Sequence, residues 1–150
     1  MWYSNGIVQV ELQCFFNAAK EKLTPKKHEK LPPNPITFDA LAEVCSWDWK
    51  FPGEAQLENF RGKASRMFTE KHISQEGYPR LSASESVVAP HIVLYFVERI
   101  VWKAGDRVTR ALKREADSLR AMCVAAIAVQ EARSLEFLFA KGIFVVRQRF

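Results

Sequence analysis

Between Val97 and Ala126, apolar residues recur at intervals of three and four positions across about eight helical turns. Val97, Val101, Ala104, Val108, Ala111, Leu119, Met122 and Ala126 fall within one third of a helical circumference. A strand buries alternate residues and has no use for such a pattern. The C-terminal half is therefore expected to be a long amphipathic helix, and the fold class all-α. The helix should start near Pro90, whose fixed φ suits a first turn, and run to about Arg133. Gly105-Asp106 could divide it, with glycine as stop and aspartate as cap. The apolar phase does not drift across Gly105, which favours one continuous helix.

A second stretch of the same period runs from Ile7 to Leu23. Val8, Leu12, Phe15, Phe16, Ala19 and Leu23 share a face, Val10 and Cys14 widen it, and Ser4 or Asn5 is available as N-cap. The β-branched start Ile7-Val8-Gln9-Val10 also reads as a short strand, but the longer period favours helix. Four prolines, Pro25, Pro32, Pro33 and Pro35, make residues 24–36 a loop, with Lys26, Lys27 and Lys30 solvated. Thr37 is placed to cap a helix from Phe38 to Trp47, with Ile36 and Leu41 as a hydrophobic staple. Phe51-Pro52-Gly53 marks a turn before a further helix, Glu54 to Glu70. Residues 72–86 read as an irregular loop, with Gly77, Pro79 and the cluster Ser82 to Ser86. A terminal strand over Ile143 to Phe150 is compatible with its β-branched and aromatic content. The expectation is one domain, residues 1–150, a bundle of four to five helices with room for a small β element. The first helix should pack against the long C-terminal one.

Three cysteines, Cys14, Cys45 and Cys123, lie far apart in sequence among apolar neighbours, with no CxxC pair. They argue against a disulfide scaffold and a zinc ribbon, and for a reducing cytoplasm. His28, His72 and His91 lack ligand spacing, so no metal or cofactor is expected. The apolar run Val87 to Val97 is too short for a membrane span, which takes about 20 residues. None of the GxSxG, GxxxxGK[ST], HExxH or GxGxxG patterns occurs, so the expected role is non-enzymatic.

Charge supplies the functional lead. The chain carries a formal +5, and the excess sits between residues 87 and 150, with eleven Lys/Arg against six Asp/Glu. Opposite the apolar stripe lie Arg99, Lys103, Arg107, Arg110, Lys113 and Arg114, spanning roughly 22 Å if helical. Such a row suits the phosphates of nucleic acid, DNA or RNA, as in a small subunit of a nucleoprotein complex. The competing reading is a solvated outer face. A second nucleic-acid feature is a loose helix-turn-helix pattern made by Phe38–Trp47 and Glu54–Glu70. It would aim Asn59, Lys63 and Arg66 at a groove, with Arg80 in a wing-like loop, although that segment is net acidic. Trp49 beside Lys50 could stack on an unpaired base, against the commoner role of tryptophan in packing. The alternative function is a protein–protein adaptor or inhibitor that docks on an acidic partner or forms a homo-oligomer. Exposure of Tyr95, Phe96 or Trp102 would favour it.

Overall fold

The computed structural model describes residues 7–47, 49 and 83–140. Among these, four helices and no strand occur, so the all-α expectation holds. They are α1 (Ile7–Leu23), α2 (Phe38–Cys45), α3 (Ala83–Phe96) and α4 (Asp106–Ala140), with a single wide π-turn, Val97–Val101, after α3. The anticipated helix Glu54 to Glu70 and its partners Asn59, Lys63, Arg66 and Arg80 lie outside the described residues. So does the anticipated strand Ile143 to Phe150.

The face of α1 anticipated from periodicity is the buried one. Val8, Leu12, Phe15, Phe16, Ala19 and Leu23 are all in the core. Val10 and Cys14 are not: both are exposed. At 100° per residue they fall roughly opposite the centre of the buried face, so they do not widen it. The loop that follows is organised locally. Asn34 Oδ1 accepts the N–H of Ile36 at 2.9 Å, an Asx-turn that sets up the start of α2. Thr37 then caps α2 in extended backbone (φ −132°, ψ 165°), its Oγ1 accepting the Ala40 N–H at 3.2 Å. Ile36 and Leu41 are both buried, as a staple requires. The helix stops two residues before Trp47. The Ser46 hydroxyl donates to Glu43 O at 2.6 Å and competes with continuation of the backbone ladder.

The long C-terminal element departs from expectation at both ends and in the middle. Helix α3 starts at Ala83, seven residues before Pro90, so part of the anticipated serine loop is helical and Pro90 lies inside the helix. An interior proline typically costs about 3 kcal/mol. Burial of Val88, Ala89, Ile92, Val93 and Phe96 around it provides the compensation. The chain does not run on as one helix. After the π-turn, where the Trp102 N–H reaches Val97 O at 3.1 Å, it bends through residues 102–105. Gly105 takes φ +110°, a conformation that excludes most L side chains. Thr109 N–H then bonds to Gly105 O at 3.0 Å and opens α4. Ala104, anticipated in the apolar stripe, is consequently exposed in the bend. Periodicity failed here because it reports which residues are buried, not whether the axis keeps its direction. Val97, Val101 and Val108 are in the core of a hairpin just as they would be along one rod.

Helix α1 lies antiparallel on α4. Glu11 meets Ser118, whereas Lys22 meets Ala111 and Glu115, and Leu23 meets Arg107. The expected packing of these two helices is thus present. A single core joins Leu12, Phe15, Ala19 and Leu23 to Leu112, Ala116, Leu119 and Cys123, with α3 completing it. Phe16 ties three helices together, its ring 4.1 Å from that of Phe38 and 6.1 Å from that of Phe96.

Two substitutions should separate core from bend. Leu112→Ala removes a fully buried side chain and is expected to cost about 2–5 kcal/mol in urea unfolding. Gly105→Ala meets no atom within 4 Å, so its expected cost of about 1–2 kcal/mol comes from backbone conformation alone. An unchanged urea midpoint for Gly105→Ala would mean that the bend does not depend on glycine.

Candidate functional site

Six basic residues were anticipated on one helical face, and the hairpin redistributes them. Arg107, Arg110 and Arg114 share a face of α4 over about 10 Å. Arg99 and Lys103 precede the reversal, one in the π-turn and one in the bend, so they sit at the end of the hairpin rather than along α4. The continuous 22 Å row is therefore replaced by a shorter row with two cations at its tip.

Their electrostatic roles also divide. Arg107 is half-buried and its Nη2 donates to Leu23 O at 3.4 Å, satisfying a carbonyl at the C-terminal end of α1. Lys113 pairs with Asp117 at 3.3 Å, an exposed i,i+4 pair worth a few tenths of a kcal/mol at most. Arg99, Lys103, Arg110 and Arg114 are exposed and have no ion-pair partner among the described residues. Lys63 and Arg66, the anticipated groove-reading pair, lie outside those residues.

Tertiary structure adds cations that linear spacing could not connect. Lys22 Nζ donates to Ala111 O at 3.2 Å and to Glu115 Oε1, docking the last turn of α1 on the second turn of α4. This brings the start of the lysine-rich loop to the N-terminal end of α4. Lys20, Lys26, Lys27 and Lys30 are all exposed. On the other side of the bend, Arg120 Nε donates to Glu98 Oε1 at 3.0 Å, and its guanidinium lies 5.7 Å from the Trp102 ring centroid. Arg120 carried no sequence signal, because its partners meet it only once the chain reverses.

A third group is aromatic. Trp47 and Trp49 lie nearly parallel (13°) with centroids 6.5 Å apart, and Tyr95 stands edge-on to both at 5.8 and 5.2 Å. Trp49 is anchored by its Nε1–H, which donates to Val44 O at 2.7 Å. Among the three residues named as signs of a protein interface, Phe96 is fully buried, Tyr95 half-buried and Trp102 37% exposed.

His91 Nε2 lies 3.3 Å from Gln130 Oε1. Among the described residues no group of three His, Cys, Asp or Glu side chains could hold a metal ion, and no helix is long and apolar enough to cross a membrane. The cysteines are free thiols there, Cys14 exposed, Cys45 and Cys123 buried. Exposure of Cys14 corrects the expectation that all three sit among apolar neighbours, and follows from its place on the outer face of α1. Burial pushes the thiols of Cys45 and Cys123 up to about 12, with Glu11 adding to the effect at Cys123. Compared with known protein families, curated proteins and solved structures, the chain matches none.

Two outcomes follow. In native protein at about pH 8, Ellman's reagent should label Cys14 quickly and leave Cys45 and Cys123 unreacted until denaturant is added; rapid labelling of all three would contradict the burial. Separately, the hydrogen bond from Lys22 holds the Glu115 carboxyl below its ordinary value of 4.5. The ionised form therefore favours the folded state. Its contribution is fully present above that ordinary value and is lost as pH falls through the lower, folded one. Glu115→Gln should lose less stability than the wild type between neutral pH and acid below 4.5, measured by urea unfolding at both; equal losses would exclude this ion pair as a source of acid sensitivity.

Proposed function

We propose that this chain is a non-enzymatic nucleic-acid-binding protein of the cytoplasm that contacts phosphates through the basic end of its helical hairpin. The observation that carries the reading is the set of exposed cations at Arg99, Lys103, Arg110 and Arg114, which form no salt bridge among the described residues. Cations that stabilised the fold would be held by partners, as Lys22 and Arg120 are by carboxylates and Arg107 by the Leu23 carbonyl. Those left in water are available to displace the counterions of a polyanion. Lys26 and Lys27, exposed in the loop that follows the docked end of α1, add to the cationic surface in this reading. Arginine adds forked donation to phosphate oxygens.

A second reading, an adaptor for an acidic protein surface or a homo-oligomer, is favoured by one observation, the exposed indole of Trp102 beside these cations. Light scattering that found an oligomer, or nuclease-resistant co-purification of an acidic protein, would support it over the first.

For the phosphate reading, the test is affinity for duplex DNA and for RNA across a salt series. With four unpaired cations engaged, log affinity should fall against log salt with a slope of about −3 to −4. The triple variant Arg99→Glu, Arg110→Glu, Arg114→Glu should abolish binding while circular dichroism stays helical, since none of the three forms a salt bridge among the described residues. Binding indifferent both to salt and to these reversals would exclude the surface as the contact.

A further inference from the structure

We propose that the exposed ring of Trp47, positioned by Trp49 and Tyr95, is a stacking platform for an unpaired nucleobase, with Arg99 four residues beyond Tyr95 to meet a phosphate, so that the chain prefers single-stranded to duplex nucleic acid. The proposal rests on the nucleic-acid reading above and adds to it a strand class and a base contact. Trp47 is 43% exposed, a large apolar area to leave in water beside a core that buries Phe15, Phe16 and Phe96. Its ring is nevertheless positioned. One side runs along Trp49, and the edge-on Tyr95 fixes the angle. Trp49 is itself held by its bond to Val44 O. Ordering a free tryptophan side chain on binding costs entropy; here that ordering is already done by the fold.

Charge around the group points to the same occupant. Tyr95 is the penultimate residue of α3, and Arg99 follows it by four positions, about one turn further along the same segment. Lys103 lies four residues beyond, in the bend. Aromatic surface and exposed cations therefore alternate toward the tip of the hairpin, the combination that binds single strands, with bases on the rings and phosphates on the cations. A duplex presents only base edges in its grooves, and its base faces are already stacked. An acidic peptide would use the cations but leave the indole face in water. A second copy of this chain would bring a like charge of +5 toward the same surface. Trp102 is a poorer platform, because Arg120 already lies against its ring.

The test titrates the full chain with oligothymidylate, oligouridylate and a duplex, each about 12 nucleotides long, reading tryptophan fluorescence and the anisotropy of labelled strands. Tighter binding of either single strand than of the duplex, with fluorescence quenching, is the expected result. Trp47→Ala should weaken single-strand binding about five- to hundred-fold without changing duplex affinity or the salt slope, and Trp47→Phe should restore most of it. Urea unfolding of Trp47→Ala checks that the exposed position is not required for folding. Salt-dependent binding that is equal in wild type and Trp47→Ala overturns the platform and leaves the phosphate surface standing. Failure to bind any of the three oligonucleotides overturns both.

Discussion

The antiparallel contact between α1 and α4 is the interaction on which the other features depend. Leu12, Phe15, Ala19 and Leu23 meet Leu112, Ala116, Leu119 and Cys123 in one core, and each fully buried large side chain contributes roughly 1.5–3 kcal/mol. Because the pairing is antiparallel, the carbonyl end of α1 lies against the first turns of α4. That end carries partial negative charge and unsatisfied acceptors. Arg107 donates to Leu23 O, and Lys22 reaches across to Ala111 O and Glu115. Apolar packing thus decides which cations become structural.

The same packing decides which cations remain available. Charge alone does not distinguish Arg107 from Arg110, three residues apart on one face of α4. Arg107 lies over the end of α1 and is half-buried; Arg110 faces water. The basic surface is a residue of the fold's own requirements, bounded on one side by the docked end of α1 and on the other by the bend. Its extent is shorter than a straight helix would make it. Phosphates along a flexible strand can follow such a compact surface, whereas a 22 Å row would have suited a rigid one.

The bend itself draws on several modest devices. The π-turn at Val97–Val101 loosens the helical ladder, Gly105 supplies a positive φ, and Arg120 reaches back across the hairpin to Glu98. Separately, packing of α2 on α3 leaves Tyr95 facing Trp47 and Trp49, so that aromatic residues separated by nearly fifty positions form one group.

What the sequence determined by itself was local. Helix α1, its buried face apart from Val10 and Cys14, the proline loop and the Thr37 cap all follow from spacing and capping chemistry within a few residues, and all are present. The all-α class followed from the same periodicities. Tertiary structure alone decided the direction of the chain beyond Val97, since a rod and a hairpin bury the same valines. It decided the helical state of Ala83 to Pro90, where packing outweighs the proline. It also sorted the six anticipated cations into one held by Leu23 O, one paired with Asp117 and four left exposed. Hydrogen bonds and ion pairs between residues some ninety positions apart, as from Lys22 to Ala111 and Glu115, exist only once distant apolar faces have met, and no local pattern encodes that meeting.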